Sequence, residues 1–304
     1  MRVGGWGAAV PDGVLTNADL EACLDTTDAW IVERTGVRER RVAGPQDTTV
    51  SLAVAAGAAA LKSAQLVPDD IDTLITATAT PDQQIPMTSS LVHGGLGLRC
   101  GAFDVGAACA GFVYALVAAA SLPGTRLVIG AETLTRIVDP ADRATRPLFG
   151  DGAGALLLLE GGNGLLGWDT GCDSSAAHLL EIPPGEKWLR MEGREVFRRA
   201  VRAVVDSAST ALDRAGLGAG DVDVFVPHQA NVRIIDAATE RLGIPRDRTV
   251  VNIDRYGNTS AASIPIALAE AADAGRIHDG DLVLLSGFGA GMTWASAVFR
   301  WEAA

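Results

Sequence analysis

Residues 60–75, which read ALKSAQLVPDDIDTLI, recur 151 positions later as residues 211–226, ALDRAGLGAGDVDVFV. In both copies a run with helical spacing is followed by a turn that contains aspartate with either proline or glycine, and then by β-branched residues. This order predicts a helix, a turn and a strand in each copy. Because the offset is about half of the 304 residues, the stretch indicates an internal duplication.

Two further pairs of segments favour the duplication over a chance likeness. Asp104–Cys109 and Asp254–Asn258 each come directly before a helical run. GTRLVIGAE at 124–132 resembles GDLVLLSGF at 280–288, with an offset of 156. Any two α/β segments resemble one another to some degree, but three matches in the same order are improbable by chance.

The repeated order strand, helix, strand predicts an α/β fold with parallel sheets and helices on their faces. We expect two halves, over residues 1–160 and 161–304, that meet near a pseudo-twofold axis. Residues near 109 and residues near 258 would then share one site.

Charge and composition exclude several classes of protein. The chain has 37 acidic and 25 basic side chains, and its net charge of −12 would repel a phosphate backbone, so we expect no nucleic-acid partner. Four cysteines are too few for a disulfide scaffold. The start, MRVGGW, does not resemble a signal peptide, and no apolar run is long enough to cross a membrane. A soluble cytoplasmic protein with reduced thiols is expected.

Cys109 is the strongest candidate for a nucleophile. It lies in DVGAACAGFVYAL (104–116), at the turn from a predicted strand into a predicted helix. A helix N-terminus favours an anion, so we expect a lowered thiol pKa there. The alternative is a buried structural cysteine, the interpretation that we adopt for Cys23, Cys100 and Cys172.

His228 is the histidine in the best position for chemistry. It follows a predicted strand at 222–226, and polar groups at the carboxyl ends of parallel strands are typical of active sites. A buried or surface histidine without a catalytic role is the alternative, and we interpret His93, His178 and His278 in that way.

The second half has two more candidate elements. Asn258 occupies the counterpart of the Cys109 turn, where its amide would donate a hydrogen bond into a shared site, although a helix N-cap is the alternative. GFGAG at 287–291 follows a predicted strand and would present backbone N–H groups to an oxyanion. It lacks the GxGxxG spacing of a dinucleotide site, and no His/Cys pair has metal-ligand spacing, so we predict no metal.

Several segments together resemble one enzyme family. They are DVGAACAGFVYAL (104–116), VPHQANVRII (226–235), YGNTSAASIP (256–265) and GFGAGMTWA (287–295), with TDAWIVERTG (27–36) and FGDGAG (149–154) in support. In combination they resemble the β-ketoacyl-acyl-carrier-protein synthase III family of thiolase-fold condensing enzymes. The resemblance implies a thiolase-like fold, in which two duplicated βαβ-rich halves form five layers, αβαβα.

The resemblance also implies a Cys–His–Asn triad of Cys109, His228 and Asn258. Cys109 would take an acyl group from acyl-CoA, which is a substrate, and no cofactor is implied. Malonyl-acyl-carrier protein would then lose carbon dioxide, and the enolate would attack the acyl group. Neutral N–H donors from His228 and Asn258 would hold the enolate oxygen, and the backbone N–H groups of Cys109 and Ala290 would form the oxyanion hole.

By the same resemblance, other residues would bind substrates and partners. The implied CoA contacts are Trp30, Arg34, Arg143, Gly193, Phe197, Ala230 and Asn231. Phe149 would line the acyl pocket, Arg233 would help to dock the carrier protein, and the protein would form a homodimer. We further predict that two arginine clusters frame the mouth of the substrate tunnel, namely Arg194, Arg198, Arg199 and Arg202 in one and Arg233, Arg241, Arg246 and Arg248 in the other.

The sequence departs from the family's pattern in four places. The segment between Cys172 and Trp188 is short, as is the link between Ala120 and Arg126. No aromatic residue stands at 84–87, and Ala290 replaces a frequent glycine. These departures leave the starter acyl group, the pathway and the carrier protein undetermined.

Three other activities compete with condensation. One is a non-decarboxylating transfer of the acyl group to a hydroxyl or amine, which the presence of Asn258 disfavours. A non-catalytic partner subunit would not need Cys109. A degradative thiolase would need a second cysteine within 287–291, where none occurs.

Overall fold

The computed structural model of the protein describes residues 2–303, and its strands and helices follow the repeat closely. The strands are β1 (Arg2–Ala9), β2 (Val14–Thr16), β3 (Glu39–Arg41), β4 (Thr73–Ala77), β5 (Gly101–Val105), β6 (Arg126–Thr133), β7 (Asp151–Leu159), β8 (Leu165–Cys172), β9 (Leu180–Glu181), β10 (Arg190–Met191), β11 (Val224–Pro227), β12 (Leu282–Gly289) and β13 (Thr293–Arg300). The helices are α1 (Asn17–Glu21), α2 (Asp28–Thr35), α3 (Thr49–Ala64), α4 (Thr88–Leu96), α5 (Gly111–Ala120), α6 (Gly193–Ala215), α7 (Val232–Leu242), α8 (Ile253–Tyr256) and α9 (Ser263–Asp273).

Two larger sheets carry the duplication. The first has the order β1-β7-β6-β4-β5, and the second has the order β11-β12-β13-β8. When the second sheet is counted from β8, its strands β8, β13, β12 and β11 take the same positions as β1, β7, β6 and β4 in the first sheet. A bridge between Phe225 and Thr249 lies on the outer side of β11, where β5 stands in the first sheet. The predicted duplication is therefore confirmed.

The prediction of parallel sheets is only partly right. Strand β4 pairs in parallel with β5 and β6, and β11 pairs in parallel with β12. Strands β1, β7, β8 and β13 pair antiparallel with their neighbours. In the second half only residues 290–292 join β12 to β13, and so short a connection reverses the chain. Each sheet is therefore mixed, with its parallel strands beside the candidate site.

The aspartates of the repeated stretch have equivalent roles in the two halves. Asp70 and Asp221 each accept a hydrogen bond, 2.8 Å long, from a backbone N–H three residues earlier, which closes the turn after the helix. Asp72 accepts from the N–H of Thr125 at 2.7 Å, and Asp223 accepts from that of Leu282 at 2.9 Å. Each of these bonds ties the start of one strand to the segment at the start of the neighbouring strand. The repeat thus encodes both the turn and the strand pairing.

The two sheets and their helices form five layers. Helices α3 and α4 cover the outer face of the first sheet, where Leu52, Ala56 and Ala60 pack on the side chains of β6 and β7. Helices α5 and α9 lie between the sheets and bury Phe112 and Ile264 in a central core. Helices α6 and α7 cover the outer face of the second sheet. The expected αβαβα arrangement is present.

The halves approach each other at two equivalent turns. Short 3-10 turns at Ala108–Ala110 and Ser260–Ala262 precede α5 and α9, and each begins with a residue of positive φ, 45° at Ala108 and 48° at Ser260. A methyl group built on Gly130 of β6 would lie 2.3 Å from the Ala261 carbonyl oxygen. One built on Gly289 of β12 would lie 2.6 Å from the Cys109 amide nitrogen. Each half thus presses a strand against the other half's turn, and only glycine allows that approach.

Within residues 2–303, every helix is too short or too polar to span a bilayer.

Candidate functional site

Cys109 lies in the first of the two turns, as expected from the sequence. Strand β5 ends at Val105, and the chain turns sharply through Ala108 into α5. The thiol is buried, with 8% of the residue exposed. Burial raises the thiol pKa to about 12, and the nearby Glu132 carboxylate acts in the same direction. The expected lowering of this pKa is therefore wrong for the free protein, because loss of solvent outweighs the helix N-terminus.

His228 directly follows β11, which places it at the carboxyl end of a parallel strand. Its Nδ1 lies 2.6 Å from the Ser263 hydroxyl oxygen, and its ring makes a T-shaped contact with Phe288, with the ring centroids 5.6 Å apart. The residue is 3% exposed, and burial lowers the imidazole pKa to about 3. The ring is therefore neutral at physiological pH and holds one N–H donor.

Asn258 is held by its backbone and by one end of its amide. Its N–H donates to the Leu148 carbonyl at 2.8 Å, and its own carbonyl accepts from the Gly150 N–H at 3.0 Å. The side-chain Oδ1 accepts from the Ser260 N–H at 2.8 Å. This contact resembles the cap considered from the sequence, but it uses only the oxygen. The Nδ2 group is left as a donor, so capping and donation are compatible at this residue.

A single cavity of about 640 Å³ brings these three residues together. The buried side chains of Cys109, His228 and Asn258 lie on its wall, although 149 positions separate Cys109 from Asn258. Thiol, neutral imidazole and amide thus share one space, as the duplication predicted.

Most of the substrate-binding residues that the resemblance implied also line this cavity. They are Trp30, Arg34, Phe149, Gly193, Phe197, Ala230, Asn231 and Arg233. The Asn231 amide donates to the Arg34 carbonyl at 2.8 Å, which ties α7 to the end of α2 at this wall. Arg143 and Ala290 are not among the lining residues within the described part of the chain, whereas Gly289, next to Ala290, is.

Arg143 lies beside the cavity, stacked on a residue that lines it. The guanidinium groups of Arg143 and Arg34 lie 4.8 and 4.9 Å from the centre of the Trp30 ring. Arg143 also pairs with Asp25 at 3.3 Å. Trp30 thus already stacks with two cationic groups beside the cavity.

The cavity is asymmetric in charge. The described residues that line it include no aspartate or glutamate, but they include Arg34, Arg194, Arg198 and Arg233. All four arginines are exposed, whereas the triad residues are buried. The basic groups therefore stand at the solvent end of the cavity, and this end suits anionic ligands on an acidic protein.

The predicted arginine clusters are only partly correct. Arg199 and Arg202 point away from the cavity into a separate groove, where they pair with Asp173, Glu195 and Asp206. In the second cluster, Arg246 pairs with Asp236, and Arg248 donates to the carbonyls of Gly220 and Val222. Glu195 and Asp206 stand one helical turn from Arg199 and Arg202, whereas Asp173, Asp236 and the two carbonyls lie on other elements that helical spacing does not reveal.

The interpretation of the remaining cysteines as buried is wrong. Cys23 and Cys172 are exposed, and Cys100 is half-buried. None of the three lines the cavity, and no histidine other than His228 does so within residues 2–303. The described residues also contain no group of three or more histidine, cysteine, aspartate or glutamate side chains that could hold a metal ion.

Two parts of the cavity wall escaped the sequence analysis. Leu180 and Met191 line it from the two-residue strands β9 and β10, which lie in a segment without a counterpart in the repeat and are too short to show a period. Phe288 lines it from the end of β12. Phe288 could have been predicted from its place in the repeat, because it ends a strand beside the glycine-rich turn.

Comparison with known proteins identifies the family. A model described as 3-oxoacyl-[acyl-carrier-protein] synthase III matches residues 103–174, and the model of its C-terminal part matches residues 212–301. Beta-ketoacyl-[acyl-carrier-protein] synthase III of Desulfitobacterium hafniense is 49% identical over 98% of this chain and 97% of its own length.

Solved structures agree with that match. The 3-oxoacyl-[acyl-carrier-protein] synthase III of Aquifex aeolicus has a TM-score of 0.96 and 43% identity, with 99% of each chain covered. A priming β-ketosynthase from the R1128 polyketide biosynthetic pathway has a TM-score of 0.93 and 37% identity, over 99% of this chain and 96% of its own. The chain belongs to the β-ketoacyl-acyl-carrier-protein synthase III family of thiolase-fold condensing enzymes.

Proposed function

We propose that the protein starts acyl chains by joining the acyl group of an acyl-CoA to malonyl-acyl-carrier protein with loss of carbon dioxide. One observation carries this proposal: a buried thiol and two neutral N–H donors line one cavity whose solvent end holds arginines and whose described wall holds no carboxylate. Fatty-acid relatives and a polyketide priming enzyme share the fold and the identity reported above.

In the first half-reaction Cys109 takes the acyl group. Its sulfur attacks the thioester carbon, and the thiol proton ends on the sulfur of the departing CoA. The Cys109 N–H, together with that of Ala290, is proposed to hold the oxyanion of the tetrahedral intermediate. Because Gly289 has no side chain, the end of β12 approaches the Cys109 amide closely, which supports this pairing.

In the second half-reaction the malonyl group loses carbon dioxide and leaves an enolate. The His228 ring and the Asn258 Nδ2 group are proposed to donate to the enolate oxygen, and both are neutral in the free protein. The enolate carbon attacks the Cys109 thioester, and the cysteine sulfur leaves as a thiolate that takes a proton from solvent to restore the thiol. Neutral donors suit this step because they stabilise the developing charge without trapping the malonyl carboxylate as an ion pair.

The CoA part of the substrate is proposed to occupy the outer cavity. Trp30 and Arg143 would hold the adenine, and Arg34 would contact phosphate. Gly193, Phe197, Ala230 and Asn231 would border the pantetheine arm. Phe149, deeper in the wall, would contact the acyl group. Their common place on or beside the cavity wall supports this assignment.

A two-step labelling experiment tests the proposal. The protein is incubated with labelled acetyl-CoA, freed of excess label and then mixed with malonyl-carrier protein. We expect a labelled protein thioester in the first step and a labelled β-ketoacyl-carrier protein with release of carbon dioxide in the second. A loaded protein that ignores malonyl-carrier protein but acylates a hydroxyl or an amine would instead support the non-decarboxylating transferase.

Carrier-protein docking is proposed to depend on Arg233. This residue is exposed on α7 at the cavity, with its guanidinium 5.6 Å from the Phe197 ring centre. We expect Arg233→Glu to raise KM for the malonyl-carrier protein by about tenfold or more, because like charges would then face each other. Labelling by acyl-CoA should change far less.

Arg241→Glu is the matched control for Arg233→Glu. Arg241 is exposed on the same helix but lies outside the cavity lining. Steady-state kinetics with each substrate should show little effect of this variant. An equal loss of loading and carrier use in Arg233→Glu, or the same defect in Arg241→Glu, would contradict a docking role.

A homodimer joined at β5 is proposed as the working form. Strand β5 is an edge strand of the first sheet, and Phe103 in its middle is 37% exposed. The Asp104 carboxylate holds the start of α4 beside it, next to the exposed side chains of Ile85 and Met87. An exposed apolar edge strand favours pairing with a second copy.

Light scattering tests this dimer. The wild type should have twice the chain mass of 31.4 kDa, and Phe103→Asp should shift the protein toward monomer. Trp168→Asp is the control, because Trp168 is 43% exposed on an edge strand of the other sheet. A monomeric wild type, or equal effects of the two variants, would contradict pairing at β5.

A further inference from the structure

The ring nitrogen of His228 that faces away from the cavity meets one polar group, the hydroxyl of Ser263. The two atoms, Nδ1 and Oγ, are 2.6 Å apart, and both residues are almost fully buried. The His228 ring also packs against Phe288, which offers no hydrogen-bonding group. The contact with Ser263 is therefore well placed to determine which nitrogen of the neutral ring carries the proton.

The hydrogen bonds around Ser263 favour one direction for this contact. Its oxygen also accepts a hydrogen bond from the Gln229 backbone N–H at 3.2 Å. An oxygen that already accepts the amide proton is free to donate its own proton to Nδ1. Nδ1 is then the bare nitrogen, and the proton of the neutral imidazole resides on Nε2, the nitrogen available to the cavity.

The duplication shows that this hydroxyl is particular to the half that carries the histidine. Ser263 is the first residue of α9, and its counterpart at the start of α5 is Gly111. A serine at a helix start commonly caps the helix, but α9 has no side-chain cap. The hydroxyl is directed at the histidine instead of at the helix backbone.

We propose that Ser263 is a positioning residue that holds neutral His228 in the tautomer with the proton on Nε2, so that a donor points into the cavity. The tautomer itself does not depend on the reaction assigned above. Its catalytic consequence does, because the enolate oxygen needs an N–H and not a lone pair. With the other tautomer, the bare Nε2 would repel the enolate oxygen.

The experiment combines nitrogen NMR with kinetics on the full chain. Histidine labelled with 15N gives signals from four residues, and His228→Gln identifies those of His228 by their loss. In the wild type at neutral pH we expect that Nε2 of His228 carries the proton and that Nδ1 is unprotonated. In Ser263→Ala both signals should move toward intermediate positions, as two tautomers exchange. Ser263→Thr, which keeps a hydroxyl, should restore the wild-type pattern.

The kinetic expectation follows from the lost donor. Ser263→Ala should lower kcat for condensation by about tenfold or more, whereas loading by acetyl-CoA should stay within about threefold, since only the enolate step uses Nε2–H. Ser263→Thr should recover most of the condensation rate. Ser286→Ala is the matched control. It removes a buried hydroxyl that contacts Ser296 in the sheet beside His228, but it leaves the Ser263 hydroxyl on the His228 ring.

The outcomes separate this inference from the proposed function. A wild type with the proton on Nδ1, or an alanine variant with unchanged His228 signals and an unchanged condensation rate, would overturn the role of Ser263. Equal losses in Ser263→Ala and Ser286→Ala would also overturn it, since they would indicate a general packing effect. If the wild type shows the Nε2 tautomer but forms no condensation product, the reaction assignment fails while the tautomer assignment stands.

Discussion

Cys109→Ala is expected to abolish both the labelling of the protein by acetyl-CoA and the formation of a ketoacyl product. No other cysteine lines the cavity within the described residues, so no other thiol can take over the acyl group. Loss of the nucleophile should lower the condensation rate by a factor on the order of 10⁴ or more. Scintillation counting of the precipitated protein and chromatography of the carrier protein measure the two effects.

The same variant should still decarboxylate malonyl-carrier protein slowly. His228 and Asn258, the proposed donors to the enolate oxygen, are untouched by the substitution. Cys172→Ala and Cys23→Ala are matched controls, because both thiols are exposed and lie outside the cavity lining. Labelled Cys109→Ala protein, or a loss of labelling in either control, would show that the acyl group resides elsewhere.

Asn258→Asp is expected to be more damaging to condensation than Asn258→Ala, although aspartate is closer in shape. Aspartate keeps an oxygen that can accept the Ser260 N–H, but it replaces the Nδ2 donor by a negative charge beside the enolate. Removing one such donor costs about 10² to 10³ in rate, and the charge should add to that loss in the aspartate variant. Loading by acetyl-CoA should survive in both variants.

The comparison of these two variants distinguishes the roles of Asn258. If the residue served only to cap the 260 turn, aspartate would retain the cap and alanine would lose it, so the order of activities would be reversed. Condensation by the aspartate variant should also rise as the pH falls, because protonation removes the charge and restores an O–H donor. A pH profile of product formation, measured on protein that is already loaded, checks both points.

The sequence predicted the parts of the fold that depend on local and repeated patterns. Three pairs of matching segments, led by 60–75 and 211–226, predicted the duplication and the shared site, because each copy carries its own turn and strand signals. The antiparallel strands were missed, since helical and strand periods do not state which way a strand runs. That direction follows in the second half from the three-residue link at 290–292.

The sequence predicted which residues form the candidate site more accurately than it predicted their burial and pKa values. Motifs placed Cys109, His228 and Asn258 together, but the thiol pKa was predicted in the wrong direction, because burial is a property of the packed halves and not of one turn. Asp173, which pairs with Arg199, and Asp236, which pairs with Arg246, come from other elements and leave no trace in helical spacing. Glu195 and Asp206 stand one turn from Arg199 and Arg202 on the same helix, so their spacing was the available signal. Likewise, nothing in the sequence near His228 indicated Ser263, which lies 35 residues away.

The approach of Gly130 to Ala261, and of Gly289 to Cys109, has a consequence for how such a chain can evolve. After a duplication, one copy is ordinarily free to accumulate substitutions while the other keeps the original activity. Here a strand of each copy packs directly against the turn of the other copy. A side chain added at the strand glycine of one half would therefore displace the backbone of the other half. The two copies could therefore specialise, one toward a nucleophile and one toward donors, but they could not drift apart.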